Sequence, residues 1–358
     1  MNHELSMAST LLVYGAMACY VVAMIAFAVD VSALGSGKKP DRRRRAAGIG
    51  MSVTWLAVLV HLAAIVVRGV AAGRAPWANM YEFTLMFTFF LVAVFLGINR
   101  KKDIRYIGVG VSMLAFLALF LATSVLFVEA EGVQPALDSY WLLIHVSVAT
   151  FATGLFGLSA MISVLQLLKG RKERRDTEGS PAIVPGGGGA PSGGAPSSGG
   201  GAAPQTADGG ALAGAGAPAG AGSPAGAGAP AGGGTATAVA PVRTTVGTRI
   251  LSALPSATEL ERLAYRINAV AFIAWTFVLI AGAVWAEHAW GRPWGWDPKE
   301  TWSFVIWVIY AAYLHARVTT GWAKEKFAYF CLVGFMALLA NFYVVNIFFN
   351  SKHSYSGL

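Results

Sequence analysis

Between Trp285 and Arg317 the chain reads WAEHAWGRPWGWDPKETWSFVIWVIYAAYLHAR, and five indoles, Trp285, Trp290, Trp294, Trp296 and Trp302, fall within eighteen residues. Gly291, Pro293 and Gly295 rule out a continuous helix through the middle of that stretch. Indoles of this kind can form a membrane-interface belt, but a belt spreads its rings over many helix ends. Gathered beside glycines, where a flat molecule can approach the backbone, they also read as the wall of a planar, largely apolar ligand. Imidazoles are the second set of groups with chemistry to offer, and there are six of them. His3 and His288 lie in polar segments, His288 within the indole stretch. His145 stands about one turn into an apolar run, and His353 belongs to the polar tail NSKHSYSGL. Two imidazoles and flat apolar walls are what an iron porphyrin asks for, one nitrogen at each axial position and surface for the macrocycle. His145 and His353 are the candidate pair. His315 lies about 17 residues into a run that starts at Pro298, roughly 25 Å of helical rise, and His61 sits near the middle of another run. Each reads either as a neutral histidine bonded to a neighbouring helix or as part of a second porphyrin position at membrane depth.

The elements that must position these groups are membrane helices. With 56% hydrophobic residues, 13% charged and a mean hydropathy of +0.57, the chain is too apolar for a soluble globular fold. Apolar runs near 9–34, 48–72, 81–99, 106–128, 141–168, 267–287, 298–317 and 327–349 each approach the roughly 20 residues that cross a bilayer core. The expected fold class is therefore all-α, a polytopic integral membrane protein of about eight transmembrane helices with both termini on one side. The first run lacks the short basic leader and small-residue cleavage site of a signal peptide and is expected to stay as a span. All but five of the 27 Lys and Arg fall after odd-numbered spans, the exceptions being Arg68, Arg74, Arg292, Lys299 and Lys352. That bias puts the basic side in the cytoplasm and the indole stretch and both termini outside, in a bacterial plasma membrane. The net charge of +9 thus reports topology and gives no reason to invoke nucleic acid. Cys19 and Cys331 lie far apart inside apolar runs, with no CxxC pair, so this chain brings no redox thiol of its own.

Local signals mark the ends of the helices. Asp297-Pro298-Lys299-Glu300 has the N-cap, the first-position proline and the third-position glutamate of a capping box, and Ser256 to Glu259 repeats the pattern. The second box, with Leu260, Leu263, Ala264 and Ile267 at helical spacing, predicts a short interfacial helix feeding the sixth span. Asn79 and Glu82 occupy the same positions before the third span. Glu82 reads as a cap residue, or as the partner of Arg68 or of a charged ligand group. Between about Gly170 and Pro255 the chain turns to Gly, Ala, Pro and Ser with GAGAPAG-like repeats, which predicts a disordered cytoplasmic tether. The organisation expected is a five-helix membrane region over 1–168, a linker over 169–256, and a three-helix region over 257–358 that carries the indole loop.

Five tracts together resemble one known family: WGWDPKETW from Trp294 to Trp302, YLHAR around His315, SYWLLIHVSVA around His145, PWANMYEF around Glu82, and HSY at His353. In this order they are similar to the CcsA/ResC haem-handling subunits of system II cytochrome c maturation, within the wider tryptophan-rich WWD family. Pro293 and the Gly/Ala/Pro tether depart from that pattern. The resemblance implies that haem b is moved to the outer face and displayed on the loop formed by Trp285, Trp290, Trp294, Trp296, Asp297 and Trp302. His145 and His353 would hold its iron there, and His315 would be a ligand at membrane level, opposite one from a ResB/CcsB-type partner. Apocytochrome c, whose CxxCH thiols join the haem vinyl groups, and thiol-reducing proteins are the other implied partners. The chain then supplies orientation, with no general acid or base assigned, so whether it is an enzyme or part of a haem lyase is a matter of definition. The alternatives are a system I haem-delivery protein, a b-type electron carrier ligated by His61 and His315, and a small-solute transporter, whose inverted repeats are not found in the sequence.

Overall fold

Helices make up every regular element among the residues described by the computed structural model, which are 3–36, 40–129, 139–178, 245–349 and 352. In chain order they are α1 (His3–Ser36), α2 (Pro40–Ala72), α3 (Met80–Asn99), a 3-10 turn (Arg105–Ile107), α4 (Gly108–Ser124), α5 (Tyr140–Glu178), α6 (Val246–Ala253), α7 (Ala257–Trp290), α8 (Pro298–Thr319) and α9 (Lys324–Leu339). A π-helical segment (Ala340–Val344) and α10 (Val345–Phe348) complete the last run. Among the described residues, seven helices are long and apolar enough to cross a membrane. The expected eighth, α8, forms over 22 residues, but Lys299, Glu300, His315 and Arg317 at its ends keep it out of that group. Outward-facing Leu11, Ile273 and Met336 are each more than 60% exposed, as apolar groups are when their solvent is lipid.

The helix starts follow their caps. Asn79 Oδ1 accepts from Glu82 N–H at 2.9 Å, and Ser256 with Glu259, like Asp297 with Glu300, makes both halves of a capping box. The short helix expected after Ser256 is instead the opening of the 34-residue α7, because no Gly or Pro occurs before Gly282 to break it. Gly291, at φ 66°, ends that helix in the left-handed region where a side chain would be strained. α5 also runs on to Glu178, and α6 forms just before α7, capped by Thr245. Most of the Gly/Ala/Pro tether, 179–244, lies outside the described residues.

α5 is the axis of the bundle, packed on α3, α7 and α9, while α1 lies along α2 and reaches α4. Two ionic ties hold opposite ends. Glu82, fully buried, accepts from Arg68 Nε at 3.1 Å, from Arg74 Nη1 at 2.8 Å and from Ala78 N–H at 2.9 Å. Its role is thus to fix the turn before α3 and to satisfy Arg68, whose Nη2 also donates to the Val128 carbonyl. At the other end, Arg317 of α8 pairs with the buried Glu261 of α7. A buried carboxylate or guanidinium left without such partners would cost several kcal/mol, so each tie specifies how its helices meet.

Candidate functional site

A cleft opens at the end of the bundle where α3, α5 and α8 begin and α7 and α9 finish. Its empty volume is about 1120 Å³, the open mouth included. The walls are mainly apolar and aromatic. Trp77 and Phe83 come from the α3 side, Trp275 and Trp285 from α7, Trp294 from the loop, and Phe342 from the π segment.

His145 enters this cleft from α5. Its Nδ1 lies 2.9 Å from the Val278 carbonyl oxygen of α7. A carbonyl only accepts, so Nδ1 carries the hydrogen, and in the neutral ring the lone pair is then on Nε2, the tautomer of a metal-ligating imidazole. The ring fits there because residue 282 is glycine. A Cβ at that position would come within 2.8 Å of His145 Cε1. On its flank the Trp285 indole lies nearly parallel, 19° between planes and 6.2 Å between centroids.

The indole loop is bound tightly by one carboxylate. Glu300 Oε2 accepts from Gly295 N–H at 2.7 Å and Asp297 N–H at 3.1 Å, and its Oε1 faces Arg292 Nη1 at 3.4 Å. Arg292 in turn lies across Gly295, where any Cβ would collide with its guanidinium. Trp296 is held at φ 57°, a region that costs a non-glycine residue on the order of 1–2 kcal/mol. The backbone bonds to Glu300 on either side hold it in that region. The five indoles do not end up on one wall. Trp285 and Trp294 line the cleft, while Trp290 packs edge-on to Trp285 at 4.8 Å. Trp296 turns outward, 69% exposed, and Trp302 sits half-buried on α8 outside the lining.

Asp297 serves two segments at once. One oxygen, Oδ2, caps α8 at Lys299 N–H, and the other, Oδ1, accepts from the backbone N–H of Lys352 at 3.1 Å. The Lys352 ammonium lies 5.8 Å from the Trp290 ring centroid. His353 itself lies outside the described residues. The remaining histidines part company. His288, on the last turn of α7, bonds the Val284 carbonyl at 2.8 Å, exposed and beside Trp141. His315 is exposed on α8, towards the far end of the bundle. His61 is fully buried, its Nδ1 3.2 Å from Tyr20 Oη and its ring edge-on to Tyr20 and Phe89. Its Nε2 is buried without a hydrogen-bond partner among the described residues.

Several lining residues carried no sequence signal. The π segment widens the last helix by the cleft, where Phe342 stacks on Phe83 with centroids 4.1 Å apart. The Asn341 carbonyl there accepts from Lys299 Nζ at 2.9 Å, and its side-chain amide faces Ser303 Oγ at 3.3 Å. Two asparagines, Asn341 and Asn346, within an apolar run were the available hint, since polar residues at membrane depth mark a site.

Fold and cleft define a polytopic helical membrane protein with an aromatic ligand cavity at one end. Residues 77–353 match the model of the cytochrome C assembly protein family. Among curated proteins the chain is similar to the cytochrome c biogenesis protein CcsA of Microcystis aeruginosa, 30% identical over 314 residues, covering 86% of this chain and 87% of that one. CcsA of Synechococcus elongatus is 32% identical over 309 residues, 86% of each chain. CcsA of Gloeobacter violaceus is 31% identical over 316 residues, 87% of each. Among solved structures, cytochrome c haem lyase CcmF superposes with a TM-score of 0.57 at 13% identity, over 95% of this chain and 46% of that one. The likeness to CcmF is therefore one of fold, and this chain spans under half of that protein. The chain belongs to the cytochrome c assembly protein family, and its role lies in cytochrome c biogenesis.

Proposed function

We propose that this chain presents haem b in the aromatic cleft for covalent attachment to the CxxCH segment of an exported apocytochrome c, working with a ResB/CcsB-type partner. The observation that carries this reading is His145: an imidazole with Nδ1 bonded to Val278, Nε2 bearing the lone pair, and Trp285 parallel beside it. The second axial ligand in this reading is His353. Its support is Lys352, whose N–H is bonded to Asp297 at the cleft mouth.

In the reaction, each cysteine S–H adds across a haem vinyl C=C, forming a C–S bond and placing the hydrogen on the neighbouring carbon, with nothing released. The chain's residues hold and orient, which is where a proximity-driven addition gains its rate. Trp285 and Trp294 confine the ring, His145 fixes the iron, and the incoming CxxCH histidine replaces the tail ligand. The exposed indole of Trp296 faces outward, where an apocytochrome would approach. Basic residues crowd the opposite end of the bundle, so the cleft faces outward from the bacterial cell membrane. His315, exposed on α8, would be the ligand at membrane level for a haem held between this chain and the partner.

The test is to express the chain with its partner and an apocytochrome in a host stripped of its own maturation genes, then stain for covalent haem. His145→Ala and His353→Ala are each expected to abolish the stained product. Normal yield from both variants rejects the assignment.

A further inference from the structure

We infer that Lys299 is the anion-binding residue of the cleft, its ammonium receiving a carboxylate of the bound ligand. On the haem reading, on which this inference rests, that carboxylate is a propionate. Lys299 lies on the cleft wall at the second position of α8. Its ammonium donates to one neutral acceptor, the Asn341 carbonyl, and stands 5.3 Å from the Phe342 ring centroid. An ammonium has three hydrogens to give, and neither of these neighbours carries charge. Among the described residues Lys299 forms no ion pair with a carboxylate. The one acid on the same wall, Glu300, is already engaged by Gly295, Asp297 and Arg292. The carboxylate that acts on it through space, Asp297, accepts from the backbone N–H groups of Lys299 and Lys352 and not from the ammonium, so this cation at the edge of a mainly apolar cavity keeps donors for an anionic group.

Three further groups lining the cleft have hydrogen-bonding capacity unspent. Trp77 Nε1 is buried without an acceptor, and a carboxylate oxygen would supply one. Asn341 and Asn346, 3% and 9% exposed, each have an Oδ1 without a partner. A carboxamide turned end for end presents N–H₂ in place of C=O, so Asn346 can donate to the same group. Taken together, the cleft has an iron-binding side at His145 on α5 and a carboxylate-binding side at Lys299 on α8, and this polarity fixes which edge of a porphyrin enters first.

The experiment uses the purified full chain in maltoside micelles, which carry no anion, titrated with hemin and with hemin dimethyl ester, whose propionates are masked. Uptake is read from the Soret band, with His145→Ala as the blank for partition into detergent. Wild type is expected to bind hemin roughly 10- to 100-fold more tightly than the ester, the range of a charge-assisted hydrogen bond. Lys299→Met should bring hemin down to the affinity of the ester and leave the ester unchanged, and Lys299→Arg should restore the preference. An unchanged Soret wavelength in Lys299→Met shows that the iron side is intact. Equal binding of the two porphyrins by wild type, or a preference that survives Lys299→Met, overturns the carboxylate seat while the haem reading stands. Failure of wild type to exceed the His145→Ala blank with either porphyrin overturns both.

Discussion

Two histidines, each reaching from one membrane helix towards another, have opposite fates in this fold. His61 lies where α1, α2 and α3 meet, fully buried, bonded to Tyr20 and boxed by aromatic edges. His145 lies in the seam between α5 and α7, bonded to a backbone carbonyl and lining the cleft. Residue type is the same and does not separate them. The partner across the seam does. A tyrosine that can both donate and accept leaves the tautomer open, whereas a carbonyl settles it, and Gly282 clears the space that lets the ring lie flat.

This contrast can be broken in order of expected effect. Gly282→Val pushes a side chain into the His145 ring and is expected to lower covalent haem product at least tenfold while the helical circular dichroism stays unchanged. Retained product would mean that the seam does not set the ring's position. Glu82→Ala leaves two guanidinium groups, one of them fully buried, without their carboxylate, and should cost about 3–5 kcal/mol of stability in a denaturation assay. Its product should fall in step with the amount of folded protein, not beyond it. His61→Phe removes the hydrogen-bond partner of Tyr20 and should cost about 1–3 kcal/mol, yet haem uptake per folded molecule should match wild type. Loss of uptake there would move His61 into the haem path. Smallest of all, deletion of the Gly/Ala/Pro segment between 181 and 243 should leave most of the covalent product in the maturation assay.

The parts legible in the sequence were those written in short, local patterns. Caps at Asn79, Ser256 and Asp297 depend on residues three apart, and each forms as its spacing implies. Apolar length gave the helices, with α8 the exception, because charged ends and a high share of aromatic residues make it less hydropathic than its neighbours. The continuity of α7 was masked by its polar first turns, which look like a separate helix until one asks what would break the backbone.

The cleft itself was less legible. Five neighbouring indoles suggested a single wall, but the cap at Gly291 and the turn at Trp296 aim them in different directions, and Trp290, Trp296 and Trp302 fall outside the lining. Trp77, Phe83, Phe342 and Lys299 come from segments far apart in the chain, and their meeting depends on a π segment with no local signature. Likewise, Asp297 reads as a cap from sequence, whereas its second oxygen, bonded to Lys352, is visible only once the tail is placed.

The central claim is that the imidazole of residue 145 takes iron inside this aromatic cleft. Purified full chain loaded with hemin, followed by Soret absorbance and electron paramagnetic resonance, tests it directly. Wild type is expected to give a low-spin, histidine-ligated spectrum, His145→Gly to lose it, and added imidazole to restore it by filling the vacated space. A low-spin spectrum that is identical in wild type and His145→Gly, and indifferent to imidazole, would contradict the claim.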